Sequence, residues 1–127
     1  MKRTVLLVFL IVCTAATASA EFTIDTVDQG GVGAMTDIAL GATGWPAVCY
    51  YDETNGDLKV AELGGGGWSL AVVDADGNVG GDCSIYVDSG NDPHIAYIDN
   101  ENLDLRYAYR DGGTWYSETL EEYGPVG

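Results

Sequence analysis

Residues 46–63, PAVCYYDETNGDLKVAEL, hold two short runs of apolar, aromatic and β-branched residues around a polar turn of Asp, Asn and Gly. Runs of this kind bounded by turn formers read as two strands of a hairpin. A variant of the same text returns 47 residues later, at 93–110, as PHIAYIDNENLDLRYAYR.

Working outward from that pair, residues 33–79 align with 80–126 without a gap and share fourteen identities. Pro46 meets Pro93, Tyr50 meets Tyr97, Asp52 meets Asp99, Asn55 meets Asn102, and Trp68 meets Trp115. Each unit carries four strand-like segments: DIAL, PAVCYYD, LKVAEL and WSLAVVD in the first, CSIYVD, PHIAYID, LRYAYR and WYSETL in the second. Four strands in a unit of this length match one blade of a β-propeller. The expected fold is therefore all-β: two consecutive four-stranded β-propeller blades of 47 residues, part of a larger propeller. Blade 1 spans 33–79, and blade 2 runs from 80 to 127, where a next blade would start. FTIDTVD, residues 22–28, matches the end of SLAVVD with a one-residue slip. Residues 21–32 are accordingly expected to hold a ninth strand, completing a neighbouring or closing blade.

The pieces SIYVD, PHIAYID, DLRYA and GTW of the second unit, with DIALG, PAVCYYD, DLKVA and GGW of the first, resemble the blades of secreted bacterial and archaeal β-propeller proteins. The resemblance covers nearly all of the chain after residue 20. It implies an architecture and no single activity, because function resides in sites placed on a fold. RDGGTW, residues 110–115, is similar to the Asp-box turn of sialidase-type propellers at Asp111, Gly113 and Trp115. The Asp-to-Trp spacing is one residue short, Tyr109 replaces the serine, and Arg106 and Arg110 are too few for the arginine cluster of a sialidase. Bacterial fucose-binding lectins, short chains that close a ring by self-association, supply a rival expectation of eight strands in place of nine.

The first twenty residues, MKRTVLLVFLIVCTAATASA, have a basic start at Lys2 and Arg3, an apolar run from Val5 to Val12, and Ala18-Ser19-Ala20 at the exit. This is the pattern of a secretory signal peptide cleaved before Glu21. The apolar run is shorter than the ~20 residues that span a bilayer, so no membrane insertion is expected after cleavage. The expected location is secreted, extracellular or periplasmic. Cleavage would leave 107 residues in which Lys59, Arg106 and Arg110 face twenty acidic residues, a formal net charge of −17. Such a surface repels phosphate backbones and anionic lipid headgroups, which disfavours nucleic acid as a partner.

Two cysteines remain, Cys49 and Cys83, and an oxidising compartment allows them to pair or to stay as two buried thiols. Their counterparts in the repeat are Ala96 and Thr36, so neither belongs to the repeated framework. In DADGNVGGD, the residues Asp74, Asp76, Asn78 and Asp82 supply hard oxygen ligands and form the calcium candidate. Val79 stands where an EF-hand requires glycine, and a Gly-rich solvated turn is the competing reading. No other cofactor is expected. His94, the one histidine, aligns with Ala47 and reads as structural or solvent-facing. No catalytic residue is assigned.

Positions that keep the repeat are what each blade needs to fold, so function is sought where the repeat breaks. Trp45 stands against Asp92, Tyr51 against Ile98, Tyr86 against Ala39 and Tyr109 against Glu62. Sugar sites stack rings on aromatics beside carboxylate acceptors, which makes Trp45, Tyr51, Tyr86 and Asp88 the candidate ligand-binding set. The expected function is a secreted, non-enzymatic binding or scaffold module for a glycan or an extracellular protein, with further blades or self-association closing a ring. The alternative is the N-terminal portion of a secreted, glycosidase-like propeller hydrolase whose catalytic residues lie in other blades.

Overall fold

A computed structural model describes residues 20–122, and these are all-β. The strands are β1 (Val32–Leu40), β2 (Pro46–Asp52), β3 (Asp57–Gly64), β4 (Gly67–Asp74), β5 (Val79–Val87), β6 (Pro93–Asp99), β7 (Leu105–Asp111) and β8 (Thr114–Glu121). They form two antiparallel four-stranded sheets, ordered β1-β2-β3-β4 and β5-β6-β7-β8, which do not close into a ring. No helix among the described residues is long and apolar enough to cross a membrane. The expected signal segment, apart from Ala20, and residues 123–127 lie outside the described residues.

The eight segments expected within the two repeats are the eight strands. Residues 22–28, expected as a ninth, form no strand. A strand needs a neighbour for its backbone groups; among the described residues no strand pairs with this segment, and Phe22 and Ile24 are almost wholly exposed.

The repeated polar residues shape the β2–β3 and β6–β7 turns in the same way. Asp52 Oδ1 accepts from the Thr54 and Asn55 amides at 3.0 and 3.1 Å, and its Oδ2 accepts from Asn55 Nδ2 at 2.9 Å. Asp99 repeats all three bonds with Glu101 and Asn102, at 2.9, 3.1 and 2.9 Å. These bonds fix a short loop locally, as Asx turns do. The Asn55 amide holds the Asp52 carboxyl below its ordinary range, against the effect of burial.

The sheets pack face to face, with β5 lying across β1, β2 and β3. From Gly81 to Val87, burial along β5 alternates residue by residue, as a half-buried strand requires. Ala47, Cys49, Leu58 and Val60 of the first sheet meet Val79, Cys83, Ile85, Val87, Ile95, Tyr97 and Ala108 of the second. A disulfide joins Cys49 to Cys83 across this layer, with Cα atoms 6.3 Å apart. Gly80 (φ +109°) lets β5 approach: a Cβ there would lie 2.9 Å from the Leu58 Cα. Asp74, buried at the end of β4, accepts from the Tyr97 hydroxyl at 2.5 Å and lies 3.1 Å from Arg106 Nη1. Arg110 donates to both Glu62 carboxylate oxygens, at 2.5 and 3.0 Å, and to Asp92 at 3.0 Å.

Two faces stay outside this layer. That of the first sheet shows Ile38, Leu40, Leu70 and Val72 to solvent. That of the second sheet is of another kind.

Candidate functional site

On the outer face of the second sheet, register places four aromatic rings in one row, one from each strand: Tyr86, His94, Tyr109 and Tyr116. Successive ring centres are 6.0, 6.3 and 5.3 Å apart, and the last two pairs are stacked within 15° and 23° of parallel. Tyr107 stands beside the row, 5.6 Å from Tyr109. Cross-strand aromatic pairs support a sheet, yet nothing within the described residues covers these. Tyr86 is 66% exposed and Tyr116 48%.

His94 is the hub. Its Nε2 is 2.9 Å from Asp88 Oδ2 and its Nδ1 is 2.6 Å from the Tyr107 hydroxyl. Because a carboxylate can only accept, the neutral imidazole donates from Nε2 to Asp88 and accepts at Nδ1 from Tyr107. The His94 hydrogen bond holds the Asp88 carboxyl below its ordinary range, with the Asp92 and Gly90 amides assisting. Acid, imidazole and hydroxyl in series have the connectivity of an activated nucleophile. Here the Tyr107 phenol is pushed up instead, by burial and then by Tyr109, Glu118 and Asp88. The array therefore fixes the orientation of the His94 and Tyr107 rings.

The rim is acidic. Glu118 lies across from Tyr107, and Glu121 lies across from Leu105. Arg106 and Arg110 pair across the strands with Tyr97 and Trp115, on the buried side of the same sheet.

Of the four residues expected to bind a ligand, Tyr86 and Asp88 come together here through His94. Trp45 and Tyr51 do not join them. Trp45, 46% exposed, lines a cleft between the sheets with Gly41, Val87, Asn91 and Arg110. Tyr51, one residue from the far end of β2, donates to Asn78 Oδ1 at 2.7 Å. Within the calcium candidate, Asp74 is taken by Tyr97 and Arg106, and Asn78 by Tyr51 and Asn100. Asp76 sits in the loop with its amide on Asp74, and Asp82 occupies a left-handed bulge (φ +44°) in β5. No group of three or more His, Cys, Asp or Glu side chains among the described residues is arranged to hold a metal.

His94, Tyr107 and Tyr116 complete a site that sequence reasoning touched only at Tyr86, Tyr109 and Asp88. The available signal was the repeat itself. The row answers to Ala39, Ala47, Glu62 and Ser69 of the first unit, small or paired residues that face the second sheet. No protein-family model, curated protein or solved structure matches the chain.

Proposed function

We propose that this chain is an exported β-propeller repeat module with a non-enzymatic binding role, its ligand held on the outer face of the second sheet. The observation that carries the reading is the row Tyr86–His94–Tyr109–Tyr116, exposed at both ends and fixed by Asp88 and Tyr107. At the equivalent positions of the first sheet, the small Ala39, Ala47 and Ser69, with Glu62 bonded to Arg110, admit a second sheet at the usual ~10 Å spacing. Three tyrosines and a histidine fill that space, so the second sheet offers a platform and not a seat for an identical neighbour. Rings in series beside carboxylate acceptors suit an extended ligand with flat or cationic groups, glycans and peptides among them.

The test is binding to glycan and peptide arrays by the wild-type chain and by the double variant Tyr109→Leu, Tyr116→Leu. Hits lost in the variant, with unfolding temperature retained, support the platform. Hits that survive it rule the platform out.

A second reading, association of copies through their outer faces, is favoured by the aliphatic face of the first sheet and by the eight-strand count. Sedimentation velocity over a concentration series tests it, and a strictly monomeric chain would remove it.

A further inference from the structure

Every basic side chain among the described residues is held between a carboxylate and an aromatic ring. Lys59 pairs with Asp28, and its Nζ lies 5.6 Å from the centre of the Tyr50 ring. Arg106 pairs with Asp74 and lies 6.0 Å from the Tyr97 ring. Arg110 pairs with Glu62 and Asp92 and lies 5.7 Å from the Trp115 ring. Ring quadrupole and carboxylate both attract the cation, and the two effects act together.

The outer face of the second sheet presents the same two partners without a lysine or arginine. Its rings are Tyr86, Tyr107, Tyr109 and Tyr116, and its carboxylates are Asp88, Glu118 and Glu121. Glu121 deserves comparison with Asp74: it lies across from Leu105 as Asp74 lies across from Leu58, and Asp74 is the carboxylate that receives Arg106 from the neighbouring sheet. Asp88 is engaged by His94, whereas Lys59, Arg106 and Arg110 pair with other carboxylates, so no lysine or arginine among the described residues pairs with Glu118 or Glu121.

Resting on the binding reading above, we infer that the ligand is a basic polypeptide segment, laid extended across the face with lysine or arginine side chains over the tyrosine row. Same-side residues of an extended segment recur every ~7 Å, close to the 5.3–6.3 Å between ring centres. The formal net charge of −15 adds long-range attraction for such a segment.

The experiment titrates hexalysine into the isotope-labelled full chain and follows amide shifts, with hexaglutamate and the neutral sugar cellohexaose as parallel probes. Hexalysine is expected to saturate, with shifts centred on residues 86, 94, 109 and 116. Tyr109→Leu and Tyr116→Leu should each weaken it about fivefold, as loss of a ring under a cation does. The pair Glu118→Gln, Glu121→Gln should weaken it about tenfold, whereas Asp25→Asn, Glu53→Gln, of equal charge change, should stay within about twofold. The wild-type shift map keeps the test decisive even if a variant fails to fold.

Equal weakening by both charge pairs, with the tyrosine variants neutral, would mean diffuse attraction and overturn the inference. Saturable cellohexaose binding on these rings with hexalysine silent would overturn it and leave the platform standing. Silence of all probes here and on the arrays would remove both. A discrete oligomer that buries Tyr116 and excludes hexalysine would assign the face to a second copy, again overturning it.

Discussion

Asp28 stands to the first sheet as Asp74 stands to the second. Each carboxylate accepts from a tyrosine hydroxyl, Tyr50 at 2.8 Å and Tyr97 at 2.5 Å, and pairs with the basic residue across the strand from that tyrosine. Asp74 ends a strand, whereas Asp28 belongs to a segment that is not one.

The Asp28 pairing gives an acid-sensitive contribution to stability. Lys59 above all, and then Tyr50, lower its pKa from 3.8 to about 2. A carboxyl with a folded pKa below its unfolded value stabilises fully above the unfolded pKa and loses that contribution as pH falls through the folded one. Asp28→Asn should therefore flatten the decline in urea midpoint between about pH 4 and pH 2. An acid limb identical to wild type would exclude Asp28 from the folded network.

The two tyrosines should differ in cost. Tyr97→Phe leaves Asp74 buried with one donor fewer and should lose about 1–3 kcal/mol in chemical denaturation. Tyr50→Phe should lose less, because Asp28 is more open to water, its side chain 16% exposed against 5% for Asp74. The reverse order would contradict the burial argument.

Gly33 and Gly80 hold the same place in the repeat, with φ of +92° and +109°. Only Gly80 has Leu58 against it; a Cβ on Gly33 meets nothing within 4 Å. Gly33→Ala should cost about 1 kcal/mol from backbone strain alone. Gly80→Ala adds a clash with backbone and should cost about 2 kcal/mol or more beyond that. Thermal unfolding of the two variants side by side checks the difference.

Removing the disulfide should also be costly. Cys49 and Cys83 are 34 residues apart, and closing a loop of that length stabilises by about 3–4 kcal/mol in the chain-entropy model. The double variant Cys49→Ala, Cys83→Ala should unfold at correspondingly lower urea, and dithiothreitol should shift the wild type alike. A reductant-insensitive midpoint would show that the bond is not formed in solution.

The strands were legible because the β2–β3 and β6–β7 hairpins carry the same Asx turn between apolar runs, written twice; local physics sufficed. Residues 22–28 have the composition of a strand and lack a pairing strand among the described residues, which is a property of the neighbourhood and not of the segment. The cysteine pair depends on how the sheets are stacked, and the spacing of Cys49 and Cys83 is silent on that. Tyr86 and Tyr109 stood out as breaks in the repeat. Tyr107 and Tyr116, breaks of the same kind against Val60 and Ser69, gain meaning only when register sets four strands side by side. Trp45 and Tyr51 show the converse: unshared aromatics near each other in sequence, they project from opposite ends of one strand.

The unlike outer faces give the molecule a front and a back. Ile38, Leu40, Leu70 and Val72 are exposed on one side, and the tyrosine row with its carboxylates on the other. The disulfide and the Arg110–Glu62 contact keep the two sheets in fixed relation between them. Whatever holds one side leaves the other turned away from it, so orientation on a surface decides which chemistry the surroundings meet.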